Sequence, residues 1–235
     1  MRIDAKDFDR VESGRIAVLR DLAFSLEPGS FTCLIGPSGC GKTTTLRIML
    51  GLDRDFRGEV RPPSHDARIA AVFQEPRLLP WRTVEQNVRL ALPKNATPDL
   101  DTLFETLGLS SMRSSYPEEL SLGLARRVAL ARAFAIDPDV LLLDEPFVSL
   151  DEATAKRMRA LLLRLWRGRG VTVLMVTHNV REAVALADRL LLIDGRPAHL
   201  TGDVPLPLPQ EMRTPEHMAT LLDDLGKTYP DTLQS

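Results

Sequence analysis

The sequence predicts an α/β fold whose parallel strands are buried on both faces, and three observations carry that expectation. Apolar runs alternate with stretches of helical period along most of the chain. Phe31 to Ile35 is a short, mainly apolar run read as a buried strand, and Val140 to Leu143 is apolar at successive positions, as a strand covered on both faces is. The middle of the chain, roughly 76 to 134, reads as helix after helix without a strand. A length of 235 residues suits one sizeable globular unit with a subdomain.

In order along the chain, the strand Phe31 to Ile35 leads into a glycine-rich run, and a helix follows to about Leu50, stopped by Gly51. Arg68 to Phe73 is a second strand. Thr83-Val84-Glu85-Gln86 has capping-box spacing and starts a helix through Leu92. Thr97-Pro98 places a cap before a proline at the first helical position, and Gly108 ends that helix. A helix from Ser121, with Leu122, Leu124, Val128, Ala129, Ala131 and Ala133, ends before Asp137-Pro138. Asp151 caps a long helix to about Trp166, ended by Gly168 or Gly170. Val171 to Val176 is a strand, Arg181 to Ala187 a helix and Arg189 to Ile193 a strand. Pro205, Pro207 and Pro209 make a stiff extended connector, and Thr214-Pro215-Glu216 opens a terminal helix.

Composition excludes several classes of function. Apolar residues are 44% and charged residues 26%, which rules out disordered and fibrous chains. Thirty Lys plus Arg against 32 Asp plus Glu leave a net charge of −2, too little positive charge for broad nucleic-acid binding. No apolar run approaches the ~18 residues that cross a bilayer, and the start lacks the apolar core of a secretory signal. Cys33 and Cys40 are too few for a disulfide framework or a zinc site. A cytosolic chain is expected, with any membrane role exercised through a partner.

The chemistry-bearing residues cluster at strand ends. Gly36-Pro37-Ser38-Gly39-Cys40-Gly41-Lys42-Thr43, followed by Thr44, matches G-x-x-x-x-G-K-[ST] between a strand and a helix. Glycines let the backbone fold round phosphate with its N–H groups inward, and the helix N-terminus adds positive potential. Lys42 can then reach the β- and γ-phosphates, and the Thr43 hydroxyl can hold Mg²⁺. Asp144 and Glu145 follow the apolar strand, at the end that faces the ligand crevice of an open parallel sheet. Asp144 is placed to bind Mg²⁺, directly or through water, and Glu145 to orient or deprotonate an attacking water. Alone, two carboxylates at a surface loop are more often a solvated acidic turn; together with the glycine loop they point to the metal and the water. Gln74 ends the strand before it, where an amide can ligate Mg²⁺ or sense the γ-phosphate. His178 closes the strand Val171 to Val176; a lone histidine is usually structural, but one at this end can hydrogen-bond a γ-phosphate.

The set of motifs and their order resemble the ATPase subunit of ABC transporters over about residues 15 to 200. The glycine loop is similar to that family's Walker A and Gln74 to its Q-loop glutamine. Leu120-Ser121-Leu122-Gly123-Leu124 stands in the place of its signature, and Val140 to Pro146 in that of its Walker B with the catalytic glutamate. Ser149-Leu150-Asp151 resembles the D-loop, and His178 the switch histidine. Arg77 to Val88, Asp144-Glu145-Pro146-Phe147 and Leu161 to Trp166 look like the branch serving nitrate, aliphatic sulfonate and taurine uptake.

The resemblance implies a P-loop NTPase core of mainly parallel sheet with an antiparallel β edge and a helical subdomain insert. It places the ATPase domain at 1–200, the insert at about 76–134, and a proline-rich connector with a C-terminal helix at 201–235. ATP and Mg²⁺ would be held by the loop, Lys42, Thr43, Gln74 and Asp144. Ser121 and Gly123 would cover the γ-phosphate bound to a second copy, with Asp151 at the dimer contact and Glu145, His178 and Lys42 acting on the terminal bond. The implied partners are a second copy or another ABC ATPase, integral membrane permease subunits and, indirectly, a periplasmic or extracellular solute-binding protein. The implied station is the cytoplasmic side of the membrane. Leu79 and Trp81 are either insert core or the permease contact. The other readings are a catalytically weak or regulatory cassette paired with another ATPase, and a non-transport ABC ATPase.

Two positions depart from the family pattern. The usual signature is Leu-Ser-Gly-Gly-Gln, and Leu122 adds a side chain that would cost roughly 1–2 kcal/mol if the backbone there needed a positive φ. Either the helix N-terminus and Ser121 suffice, or hydrolysis is slow, or the chain pairs with a different ATPase whose signature is intact. Near the start, Ser13 falls where the family has an adenine-stacking aromatic, and Phe8 is the nearest one. Base stacking contributes ~1–3 kcal/mol in comparable settings, so weaker or less adenine-selective binding is expected.

Overall fold

A computed structural model describes residues 1–10, 14–94 and 96–233. The strands are β1 (Arg2–Arg10), β2 (Gly14–Ala23), β3 (Phe31–Ile35), β4 (Arg57–Glu59), β5 (Ile69–Val72), β6 (Val140–Asp144), β7 (Thr172–Thr177), β8 (Arg189–Gly195) and β9 (Ala198–Pro205). The helices are α1 (Lys42–Met49), α2 (Val84–Arg89), α3 (Leu100–Leu107), α4 (Leu122–Ala135), α5 (Glu152–Arg169), α6 (Val180–Leu186), α7 (Pro215–Thr228) and α8 (Pro230–Leu233). The chain divides into two compact units, Met1–His65 together with the chain from Thr172 onward, and Asp66–Val171.

In the first unit the strands run in the order β4-β1-β2-β9-β8-β3-β7. Every residue of β3 is buried, and β7 and β8 flank it in parallel, which explains why it is apolar but for Thr32. The antiparallel edge is β4-β1-β2. In the second unit β5 and β6 pair in parallel, with Val72 opposite Leu143, and the residues between them carry α2, α3 and α4 without a strand among those described.

Helix boundaries follow local chemistry. Thr83 makes a full capping box with Gln86, and Gly108 and Gly170 end α3 and α5 in the left-handed conformation. The start of α3 differs from the expected Thr97-Pro98. The Asp99 carboxylate caps it instead, accepting from the Thr102 N–H at 3.0 Å, where the buried stripe Leu100, Leu103, Phe104 and Leu107 begins. The proline-rich stretch is also shorter than expected. Strand β9 pairs antiparallel with β8 as far as Pro205, so only 206–209 remain as connector. Beyond it the Tyr229 ring packs over Gly202, and the Thr232 hydroxyl donates to Asp194 at 3.1 Å.

Strand β1 is rich in charge, and one of those charges is inside. Lys6 is 2% exposed. Its ammonium donates to the Asp53 carboxylate at 2.9 Å and to the Asp55 carbonyl at 2.6 Å, and lies 4.4 Å from the Phe8 ring centre. Removing one partner of a buried pair leaves the other uncompensated. We therefore expect Asp53→Ala to lower the unfolding free energy by about 3 kcal/mol. Asp55→Ala, which deletes an exposed carboxylate 3.5 Å away and keeps the carbonyl contact, should change it by less than about 1 kcal/mol. Urea unfolding of the two variants checks the contrast.

Candidate functional site

The glycine loop leaves β3 at Ile35 and enters α1 at Lys42. Gly39 and Gly41 have φ of 77° and 102°, the left-handed region that favours glycine. Gly36 is required for a different reason: a Cβ there would lie 2.5 Å from the Ile193 carbonyl oxygen and 2.9 Å from Cys40 Sγ. Lys42 is 5% exposed and donates to the carbonyls of Gly36 and Pro37, both at 2.7 Å, so the loop is drawn round its own ammonium. The Thr45 hydroxyl donates to the Gly41 carbonyl at 3.0 Å and fixes the first turn of α1, while Thr43 stays exposed and Thr44 half-buried. Ser38 lies exposed at the loop tip. Burial pushes the Cys40 thiol up from its ordinary range, which keeps it protonated and inert.

His178 belongs to the same unit. Ile35 pairs with Thr177 in the parallel ladder, so the loop and His178 leave neighbouring strands at the same end. The Thr177 hydroxyl accepts from the Asn179 N–H at 2.9 Å, and Asn179 caps α6, which fixes the backbone on either side of the exposed His178.

In the second unit the register of β5 on β6 releases Gln74 and the pair Asp144 and Glu145 at one end of that strand pair. Gln74 is exposed and Asp144 5% exposed. Glu145 has φ 45°, a left-handed backbone at a residue with a full side chain, and Ser149 follows with φ 61°. Such conformations cost on the order of 1–3 kcal/mol and gather where function over-determines the backbone. Among the described residues no group of three His, Cys, Asp or Glu could hold a metal ion. The candidate donors Thr43, Gln74 and Asp144 carry hydroxyl, amide and carboxylate oxygens, the set a hard cation takes when phosphates complete its shell.

Ser121 caps α4, its hydroxyl accepting from the Leu124 N–H at 3.3 Å. Leu122 is the first helical residue, 41% exposed, and has no positive φ, so the strain considered for it is absent. Gly123 is needed for packing: a Cβ would lie 2.9 Å from Thr154 Cγ2 at the start of α5. Asp151 caps α5 through the Thr154 N–H at 2.9 Å, and its hydrogen bonds to Thr154 hold its carboxyl below the ordinary range. The signature candidate Gly123 therefore abuts the first turn of the helix that the D-loop candidate Asp151 caps. Ser13 lies outside the described residues, and Phe8 is 42% exposed with Lys6 over its ring.

Trp81 is 69% exposed and Leu79 half-buried, so Trp81 is not insert core. The sequence reading missed Asn87, which is fully buried. Its amide accepts from the Leu79 N–H at 2.8 Å and donates to the carbonyls of Leu79, Arg82 and Thr83 at 3.0 to 3.2 Å, fixing the loop that carries Trp81. An asparagine on the apolar face of α2, between Val84 and Val88, was the available signal.

A glycine loop of the phosphate-binding pattern on a parallel strand pair, with buried Asp144 and left-handed Glu145 ending another buried strand, is the pattern of a nucleoside-triphosphate hydrolase. Known proteins narrow the class, since a family model described as ABC transporter matches residues 19–148. The chain belongs to the ABC transporter ATPase family, as an ATP-binding and ATP-hydrolysing transport subunit. The aliphatic sulfonates import ATP-binding protein SsuB 1 of Pseudomonas savastanoi pv. phaseolicola is 44% identical over 92% of this chain and 89% of its own length. The SsuB of Bacillus licheniformis is 39% identical over 99% of this chain and 94% of its own. The dimeric structure of MJ0796, a bacterial ABC transporter cassette, matches with a TM-score of 0.74 at 26% identity, covering 88% of this chain and 99% of that one. Among the described residues no helix is long and apolar enough to cross a membrane.

The Gly123 contact yields a direct test. Gly123→Ala should destabilise the protein by about 1–2 kcal/mol through overpacking. Thr154→Ser, which removes the opposing methyl, should recover most of that loss in the double variant. A thermodynamic cycle measured by denaturant unfolding reads the coupling, and additive effects would reject the contact.

Proposed function

We propose that this chain energises import of an aliphatic sulfonate, taurine included, or of nitrate, from the cytoplasmic face of the membrane. Two copies close face to face on ATP, and a permease with its external solute-binding protein selects the cargo. The likeness to sulfonate import subunits along nearly the whole chain supports the sulfonate reading above the others.

The observation that carries the hydrolytic part is the left-handed Glu145, directly after the buried Asp144. Glu145 orients and deprotonates the attacking water, while Lys42 and the loop N–H groups of Gly36 to Thr44 neutralise the triphosphate. Thr43, Gln74 and Asp144 hold Mg²⁺, which when bound spreads the developing charge. His178 donates to the γ-phosphate. Ser121 and the Gly123 N–H, at the N-terminus of a 14-residue helix, cover the γ-phosphate held by the partner copy, with Asp151 beside them. Catalysis of this kind is positioning and charge stabilisation. The unstrained helical backbone at Leu122 favours an active signature over a regulatory cassette. Trp81, exposed on its fixed loop in the insert of about 76–134, is the permease contact.

Glu145→Gln should lower the ATPase rate by about 10²- to 10⁴-fold while ATP still binds and the dimer persists. A wild-type chain without turnover, alone or with its membrane subunits, would instead favour pairing with a second ATPase. Cells lacking the protein should fail to grow on an alkanesulfonate as sole sulfur source yet grow on sulfate. The wild-type chain, and not Glu145→Gln, should restore growth. Normal growth on sulfonates with loss of nitrate use would move the cargo to nitrate.

A further inference from the structure

Helix α4 reaches back to the segment that follows β5 through two arginines. Arg132 is half-buried, and its guanidinium donates to the carbonyl of Arg77 at 2.9 Å and of Pro76 at 2.8 Å. It makes no ion pair with a carboxylate among the described residues, and burial lowers its pKa from the ordinary arginine range. Arg126, six residues earlier and 4% exposed, donates to the Gln74 carbonyl at 3.4 Å. Six residues span about 9 Å of helix, so the two side chains grip successive points of one strand of chain. The gripped backbone is strained: Arg77 has φ 49°, and its own guanidinium lies 4.0 Å above the Phe73 ring.

A charged fork committed to two main-chain oxygens cannot select a side chain; it fixes where the backbone runs. The segment is then held at Gln74 and at 76–77 by the two arginines and at 79–83 by Asn87, with exposed Trp81 inside the last of these stretches. The helix that supplies the arginines begins at Ser121 and Gly123.

We propose that Arg132, with Arg126, is a positioning residue that ties the Gln74–Trp81 segment to helix α4, so that a membrane subunit pushing on Trp81 moves Gln74 and the signature end of α4 as one body. The direction of coupling rests on the roles given above to Gln74 and Trp81; the clamp does not.

Amide hydrogen exchange of the full chain tests the clamp without reference to activity. In Arg132→Gln the amides of Leu79 and Arg82 should exchange about tenfold faster, the loss of a charged hydrogen bond, while those of α2 and α3 keep their wild-type rates. Arg132→Lys, which retains the charge but loses the fork, should fall between and guards against misfolding of the neutral variant. Unchanged exchange at 79 and 82, or equal acceleration through α2 and α3, would overturn the proposal. The Mg²⁺ concentration giving half-maximal ATPase should rise in Arg132→Gln as it does in Gln74→Ala, with ATP binding in EDTA unaltered. If Gln74→Ala does not move that midpoint, the role of Gln74 fails and exchange alone judges the clamp. If Gln74→Ala moves it and Arg132→Gln does not, the clamp does not position Gln74.

Discussion

Parallel strand pairing governs where this protein can do chemistry. Parallel ladders end in step, so Ile35 beside Thr177 sends the glycine loop and His178 off the same end of one strand pair. Val72 beside Leu143 does the same for Gln74 and for Asp144 with Glu145. Polar groups needed at a ligand are thereby gathered by backbone geometry, before any side chain makes a specific contact. The interior of β6 can then be uniformly apolar, with its polar duty displaced to the terminal Asp144, and β3 is apolar apart from Thr32.

Helix α4 carries a second layer of organisation. Its N-terminus presents Ser121, its first turn abuts α5 at Gly123, and its flank holds the backbone after β5 through Arg126 and Arg132. Each contact uses a different force: a helix cap, close van der Waals packing, and charge-assisted hydrogen bonds. A single straight element bearing all three is stiffer than loops joined end to end. In a family whose members couple ATP turnover to a membrane partner, stiffness between those points is what lets a small displacement arrive undiminished.

Much of this was legible in the sequence because the relevant signals are local. The glycine loop, the Thr83 capping box, Ser121, Asp151 and Thr214 as caps, and the buried runs each follow from a few adjacent residues, and each stands where the pattern placed it. What escaped depends on distant partners. Strand β1 alternates too little apolar character to announce itself, because buried Lys6 takes an inward place and its counter-charge comes from Asp53. The packing role of Gly123 needs Thr154 opposite, and an arginine bound to carbonyls leaves no complementary residue to find. The start of α3 failed for a local reason: a plausible cap at Thr97 competed with a better one two residues on.

Strand β9 has a practical consequence for anyone shortening the chain. Cutting after Leu200 would remove Thr201 to Pro205, five of the eight residues of the strand that lies between β2 and β8 and covers that side of β8, together with the Tyr229 ring over Gly202. The newly bare edge of β8 is apolar and extended from Leu190 to Leu192, the kind of surface on which chains stack into aggregates. The first residues of the tail after 200 thus complete the sheet by covering an edge that would otherwise be open to another strand.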